Sequence, residues 1–314
     1  MNTTFLKLKD WINKEELNWD LLSTNPNAIS LLEKNPDKIN WIHLSGNSNA
    51  VHLISEALDK YPYKIDWCRL SSNPNAVHLI SEESKKYADK IDWYWLSKNP
   101  NAIEIISEAL INKKKFHVSW LSWMLLSENP NAISLLEQNP DKIDWKILCL
   151  NPNAIHLISE ALEQYPDKID WYLLSSNPNA VPLLEKNIDK IMWHRLSLNP
   201  NAIPLLEKYP DKIDWGCLSS NPNAIHLLEK NIDKIAWAAL VINPNAIHLL
   251  EQHKDKVNWY WLSMNPAIFE YDYNSIVTHF KPILQGVIQN RFHPKNICKF
   301  YSWGFEEFEE FQDL

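Results

Sequence analysis

The segment Asn221-Pro222-Asn223-Ala224-Ile225-His226-Leu227-Leu228-Glu229-Lys230-Asn231-Ile232-Asp233-Lys234-Ile235-Ala236-Trp237-Ala238-Ala239-Leu240 recurs along the chain with few changes, and its reading decides the fold. The tryptophans that stand three residues before a leucine are Trp19, Trp41, Trp67, Trp93, Trp123, Trp145, Trp171, Trp193, Trp215, Trp237 and Trp259. Their successive separations are 22, 26, 26, 30, 22, 26, 22, 22, 22 and 22 residues. Self-similarity at a short, nearly fixed period is the signature of a solenoid, in which each unit buries its apolar face only against its neighbours. The expected fold is therefore an all-α solenoid of eleven short αα-hairpin units with atypical ends. Residues 1–18 are read as an N-terminal cap that includes Trp11, 19–264 as the repeats, and 265–314 as a C-terminal helical cap over the open end. Stacking eleven layers at the usual helix spacing of about 9 Å predicts a curved rod on the order of 100 Å long.

The separations differ by four or eight residues, close to one or two helical turns, so an insertion lengthens a helix without turning its buried face outward. The extra residues appear where Leu31-Leu32-Glu33-Lys34 becomes Leu53-Ile54-Ser55-Glu56-Ala57-Leu58-Asp59-Lys60, which are good helix formers. This segment is expected to be a helix capped by the second Asn of the Asn-Pro-Asn triplet, because Pro182 and Pro204 follow that Asn by three residues and proline is tolerated only in a first turn. It should end near Asn35-Pro36, Tyr61-Pro62, Asn139-Pro140, Tyr165-Pro166 and Tyr209-Pro210, where proline stops it. A shorter helix should begin at each framework Trp. Nine of the eleven are preceded by a capping residue, namely Asn18, Asn40, Asp66, Asp92, Ser122, Asp144, Asp170, Asp214 and Asn258, while Met192 and Ala236 are the exceptions. Such short helices cannot persist alone, so the eleven indoles are expected to lock successive layers together.

Composition narrows function. The net charge of -8 gives no basic footprint for duplex nucleic acid. Four scattered cysteines (Cys68, Cys149, Cys217, Cys298) without CxxC spacing point to a reducing compartment rather than a disulfide scaffold. No apolar run reaches a membrane span, and Met1 to Asp10 lacks the apolar core of a signal peptide. With four glycines in the chain a Gly-rich phosphate loop is nearly excluded, and neither a nucleophile elbow nor HExxH occurs. A non-catalytic protein without a cofactor is the expectation.

Histidine recurs in one slot at His52, His78, His156, His226 and His248, but Ser30, Glu104, Ser134, Pro182 and Pro204 fill it elsewhere, and layers about 9 Å apart do not converge on one zinc ion. No metal is expected. The Asp-Lys pairs (Asp37-Lys38, Asp89-Lys90, Asp167-Lys168, Asp233-Lys234) read as a solvated face or turn cap, and Lys113-Lys114-Lys115 as an exposed helix end or loop.

The two residues after each framework Trp change from unit to unit: Asp20-Leu21, Ile42-His43, Cys68-Arg69, Tyr94-Trp95, Met124-Leu125, Lys146-Ile147, Tyr172-Leu173, His194-Arg195, Gly216-Cys217, Ala238-Ala239 and Tyr260-Trp261. On a helix they point about 100° and 200° away from the Trp, so at least one leaves the core. Arg69, Tyr94, Trp95, Tyr172, Arg195, Tyr260 and Trp261 are of the types that dominate protein interfaces and are the candidate partner-binding residues.

The Asn-Pro-Asn-Ala-Ile units (Asn131 to Ile133, Asn201 to Ile203), the Asp-Lys-Ile-Asp-Trp units (Asp141 to Trp145, Asp211 to Trp215) and the ending Asn265-Pro266-Ala267-Ile268-Phe269 with His293-Pro294 resemble a family of repeat proteins encoded by giant nucleocytoplasmic DNA viruses. The resemblance spans nearly the whole chain and carries no catalytic residue. It implies a virus-encoded protein acting in the host cytoplasm or virus factory, or carried in the virion. The expected function is a protein-binding scaffold. A repeat-type reader of RNA or single strands and a structural part of the particle are the alternatives.

Overall fold

The computed structural model describes residues 5–83, 90–111 and 121–291. Eleven short helices start at the framework tryptophans, from Trp19–Thr24 in unit 1 to Trp259–Leu262 in unit 11. Their caps are those expected. The side chains of Asn18, Asn40, Asp66, Asp92, Ser122, Asp144, Asp170, Asp214 and Asn258 each accept the N–H three residues on, whereas Met192 and Ala236 supply no side-chain bond. The second helix runs over five residues in Ile225–Glu229 and ten in Val51–Lys60 and Ile155–Gln164, so the four-residue insertions do lengthen it. A 3-10 turn such as Pro36–Lys38 or Pro166–Lys168 then leads to the next Trp.

Three features differ from the sequence reading. First, the centre of each layer is the leucine three residues after the Trp. Leu22, Leu44, Leu70, Leu96, Leu126, Leu148, Leu174, Leu196, Leu218, Leu240 and Leu262 are fully buried, whereas among the framework indoles Trp93 alone is buried and the others are half-buried at the core edge. Several carry a lysine from the following turn: Lys38 lies 4.6 Å from the Trp19 ring, Lys168 5.0 Å from Trp145 and Lys234 4.7 Å from Trp215. The lysine stem covers part of the ring face left outside the core.

Second, the second Asn of the triplet does not cap its helix. The residue at that position is Ala, for example Ala28, Ala154 and Ala224, and it makes no side-chain bond. Both asparagines instead tie units together. The first one is buried in every unit (Asn25, Asn47, Asn73, Asn99, Asn129, Asn151, Asn177, Asn199, Asn221, Asn243, Asn265). Its amide nitrogen donates to two backbone carbonyls of the preceding unit, as Asn177 does to Cys149 at 2.9 Å and Asn151 at 3.0 Å. Its Oδ1 accepts the N–H two residues on, Asn179 in that case, which shapes the turn. The second Asn donates to the carbonyl before the preceding unit's own second Asn, as Asn179 does to Pro152 at 2.9 Å.

Third, the solenoid closes. Asn25 in unit 1 donates to the carbonyls of Ser263 and Asn265 in unit 11, both at 3.0 Å, as the first Asn does at every other junction, and Asn27 donates to Pro266 at 2.9 Å, the bond made at every other junction but the one where Ala267 replaces the second Asn. The hydroxyl of Ser23 accepts the Asn40 N–H at the next junction, and Ser263 accepts the Asn18 N–H in the same way at 2.8 Å. The chain is therefore an all-α solenoid closed into an eleven-unit ring, and the expected open rod is corrected. Unit 11 is built from both ends. Its Trp helix and Asn-Pro turn come from residues 259–268, while its 3-10 turn, Lys14–Glu16, comes from the N-terminus. Where the second helix would stand, β1 (Leu6–Leu8) pairs antiparallel with β2 (Phe269–Tyr271), Leu6 opposite Tyr271 and Leu8 opposite Phe269. Lys7 and Lys9 both pair with Glu270 at 3.3 Å, and Trp11 packs on Trp259 with ring centroids 6.0 Å apart. Beyond the junction a helix, Tyr273–Arg291, carries exposed Val277, Phe280, Leu284 and Ile288.

Adjacent Trp helices pack closely along the ring, as do the Asn-Pro turns, while adjacent second helices stand farther apart. In a closed ring the closer row follows the shorter circumference, so the Trp helices form the inner row. At a spacing of about 8–10 Å, eleven helices close at a radius of roughly 15 Å. The second helices reach one another through long side chains: His52 to Glu33 at 2.8 Å, His156 to Glu137 at 3.2 Å, His226 to Glu207 at 2.9 Å and His248 to Glu229 at 2.8 Å.

Candidate functional site

On each Trp helix the buried leucine points toward the second helix. The residue after the Trp lies two positions earlier, about 200° around the helix, and so faces away from the core toward the ring axis. It is exposed in all eleven units: Asp20, Ile42, Cys68, Tyr94, Met124, Lys146, Tyr172, His194, Gly216, Ala238 and Tyr260. The next position is intermediate or buried except at Arg69, Trp95 and Trp261, which are also exposed. The inner wall is thus a constant backbone bearing a different side chain at each step.

The seven candidate residues all lie on this wall but not in one cluster. Tyr94 and Trp95 form an edge-to-face pair in unit 4 with centroids 5.5 Å apart, and Tyr260 and Trp261 form its counterpart in unit 11 at 5.1 Å. Tyr172 of unit 7 is covered by Arg195 of unit 8, whose Cζ lies 4.7 Å from the ring centroid, and His194 packs beside it at 5.4 Å. Arg195 is half-buried and its Nε is enclosed without a hydrogen-bond partner. Arg69 of unit 3 is exposed and borders, with Trp95, a cavity of about 320 Å³ that Asp66, Cys68 and Ser72 complete.

The thiols on the ring are not activated. Cys68 donates to Asp92 Oδ2 at 3.0 Å, and this bond to a carboxylate, with some burial, pushes its pKa up to about 11. Cys149 replaces the serine that accepts the next unit's cap N–H in nine of the eleven units, and burial raises it to about 11. The Cys217 thiol is also raised, mainly by burial. Each therefore holds its proton at neutral pH and is a poor nucleophile. Among the described residues no three His, Cys, Asp or Glu side chains converge as metal ligands, and no helix is long and apolar enough to cross a membrane.

Comparison with family models, curated proteins and solved structures gives no match. The wall is accordingly read from its own chemistry. The Asp-Lys turns lie elsewhere on each unit, with Lys142, Lys190, Lys212 and Lys256 beside their own Asp at 3.1–3.6 Å and others over a Trp, so they belong to the framework. Lys113-Lys114-Lys115, Asp89, Cys298 and His293-Pro294 lie outside the described residues.

Two signals for the inter-unit bonds stand in the sequence. A helix cap accepts Ser, Thr or Asp as readily as Asn, yet the triplet's first residue is Asn in all eleven units, and what only Asn adds is an NH2 donor. Ring closure is signalled by two partial units, one at each end, whose missing parts are complementary.

Proposed function

We propose that this protein is a non-catalytic ring scaffold that binds a protein partner along its inner wall. The observation that carries this reading is the exposed row after the framework tryptophans, where a fixed backbone presents a changing set of side chains that includes Tyr94, Trp95, Tyr172, Tyr260 and Trp261. Rigid aromatic side chains already held in edge-to-face pairs lose little freedom on binding, which is why they serve as anchors in interfaces. Closure adds to this, since a ring with no free end holds the wall at one curvature and pre-organises it. The resemblance to giant-virus repeat proteins supports a setting in a virus-infected cell, in a reducing compartment or in the particle.

The test is affinity capture of the tagged protein from infected cells. Replacing Tyr94, Trp95, Tyr260 and Trp261 by Ala should abolish recovery of the partner while leaving helical circular dichroism unchanged, and undiminished recovery would refute the reading. A single-strand reader is the second reading, favoured by the exposed aromatic pairs, on which bases could stack. The net charge of -8 opposes it, and absence of oligonucleotide retention at low salt would remove it.

A further inference from the structure

The inner wall holds two arginines next to aromatic rings, and they are arranged differently. Between units 7 and 8 the Arg195 guanidinium covers the Tyr172 face, so each already occupies the other. Between units 3 and 4, Arg69 and Trp95 stand on the border of an open cavity of about 320 Å³. The acidic groups at its edge are committed. Asp66 Oδ1 accepts the Arg69 backbone N–H at 2.8 Å, while Asp92 accepts the Trp95 N–H at 3.1 Å and the Cys68 thiol at 3.0 Å. Both carboxylates stand at helix N-termini, where the helix dipole offsets their charge. Among the described residues the Arg69 side chain has no carboxylate at ion-pair distance. Trp95 is 40% exposed and is held from behind by Tyr94.

A planar guanidinium with free donors selects a carboxylate, which it can grip through two parallel hydrogen bonds. An exposed indole on the border of the same cavity selects a flat apolar group. Asp66 lines the pocket and Asp92 is bonded to its Cys68, and both work against a continuous phosphate backbone, which would bring several negative charges, but a single carboxylate held on Arg69 is compatible with them. We propose that units 3 and 4 form a recognition pocket for a peptide segment in which a Glu or Asp carboxylate sits beside an aromatic side chain, the carboxylate bound by Arg69 and the ring packed on Trp95. This rests on the inner wall being the partner-binding surface and names the chemistry that one part of it reads.

The experiment uses the full chain and fluorescence anisotropy of a fluorescein-labelled peptide, Gly-Ser-Glu-Phe-Glu-Phe-Ser-Gly, beside the same peptide with Gln for both Glu. The Glu peptide should bind at least tenfold more tightly. Arg69→Gln should erase the difference between the two peptides, and Trp95→Leu should weaken both. Arg69 is exposed, and the variant's thermal unfolding is measured alongside to establish that it folds. Equal binding of the two peptides, a preference that survives Arg69→Gln, or a single-stranded oligonucleotide that displaces the peptide at equal concentration would overturn the proposal. Loss of partner capture in the four-alanine variant together with no peptide preference would sink the pocket chemistry and keep the surface; retained capture would sink the surface itself.

Discussion

The residue that does most to hold one unit to the next is the first asparagine of the triplet. In Asn177 a side chain 1% exposed satisfies two carbonyls of the preceding unit and one N–H of its own turn. An unmade bond to a buried polar group costs about 1–3 kcal/mol, so Asn177→Ala should destabilise the ring by about 3–4 kcal/mol. Asn177→Asp should be no better, because it keeps the acceptor but loses the donor and faces a carboxylate toward two carbonyl oxygens. Asn179→Ala removes a single exposed bond, to Pro152, and should cost less than about 1 kcal/mol. Unit 11 shows that this second bond is dispensable once, since Ala267 occupies the equivalent position. Urea midpoints at unchanged slope measure the three variants, and equal midpoints for Asn177→Ala and Asn179→Ala would contradict this account.

Among the elements, the second helix tolerates changes of length only in whole turns. Ile155–Gln164 differs from Ile203–Lys208 by the four residues Ile158-Ser159-Glu160-Ala161, and removing them leaves Ile155-His156-Leu157-Leu162-Glu163-Gln164-Tyr165-Pro166, which matches the pattern of Ile203 to Pro210. That deletion should give a folded ring with close to native cooperativity. Removing only Ser159 and Glu160 rotates the rest of the helix by about 200° and carries the apolar face of Leu162 outward, so this shorter deletion should be the more damaging, as thermal unfolding of the pair would show. The rule was legible in the Trp spacing because helical period and insertion length share a number, and the Trp-helix caps were legible because Asn, Asp and Ser before Trp satisfy a need local to one turn. The cap of the second helix was hidden for the opposite reason: the bonds of Asn223 and its equivalents lead to another unit, Pro200 in that instance, and a single unit's sequence contains no sign of where a neighbour's carbonyl lies. Burial of Leu240 in preference to Trp237 was equally hidden, since the depth of a side chain depends on how near the next helix comes.

At the scale of the molecule, the ring depends on one junction whose two sides are as far apart in sequence as the fold permits. Leu6 to Leu8 pairs with Phe269 to Tyr271, and Asn18, Asn25 and Asn27 repeat across the seam the bonds that join the other units. A helical pattern gives the curvature of a solenoid only through the difference in spacing between its inner and outer rows, which no residue encodes alone, and this is why the chain reads as a rod until its ends are placed. Closure can be tested covalently. Lys7 and Glu270 are directly opposed in the antiparallel pair, and opposed residues in such a pair have Cα atoms about 4.5–5.5 Å apart, inside the range a disulfide bridges. The double variant Lys7→Cys, Glu270→Cys should oxidise within one molecule, giving a monomer of increased electrophoretic mobility on a denaturing gel. The disulfide encloses nearly the whole repeat array, so the loop-entropy relation sets an upper limit on the order of 5 kcal/mol to its stabilisation, less whatever the lost Lys7–Glu270 ion pair contributed. In an open rod of about 100 Å the two cysteines would lie at opposite ends, and oxidation would yield only chains linked end to end. A ladder of such oligomers in place of the fast-migrating monomer would show that the ends do not meet, and the inner wall would then lose the enclosure on which its fixed curvature depends.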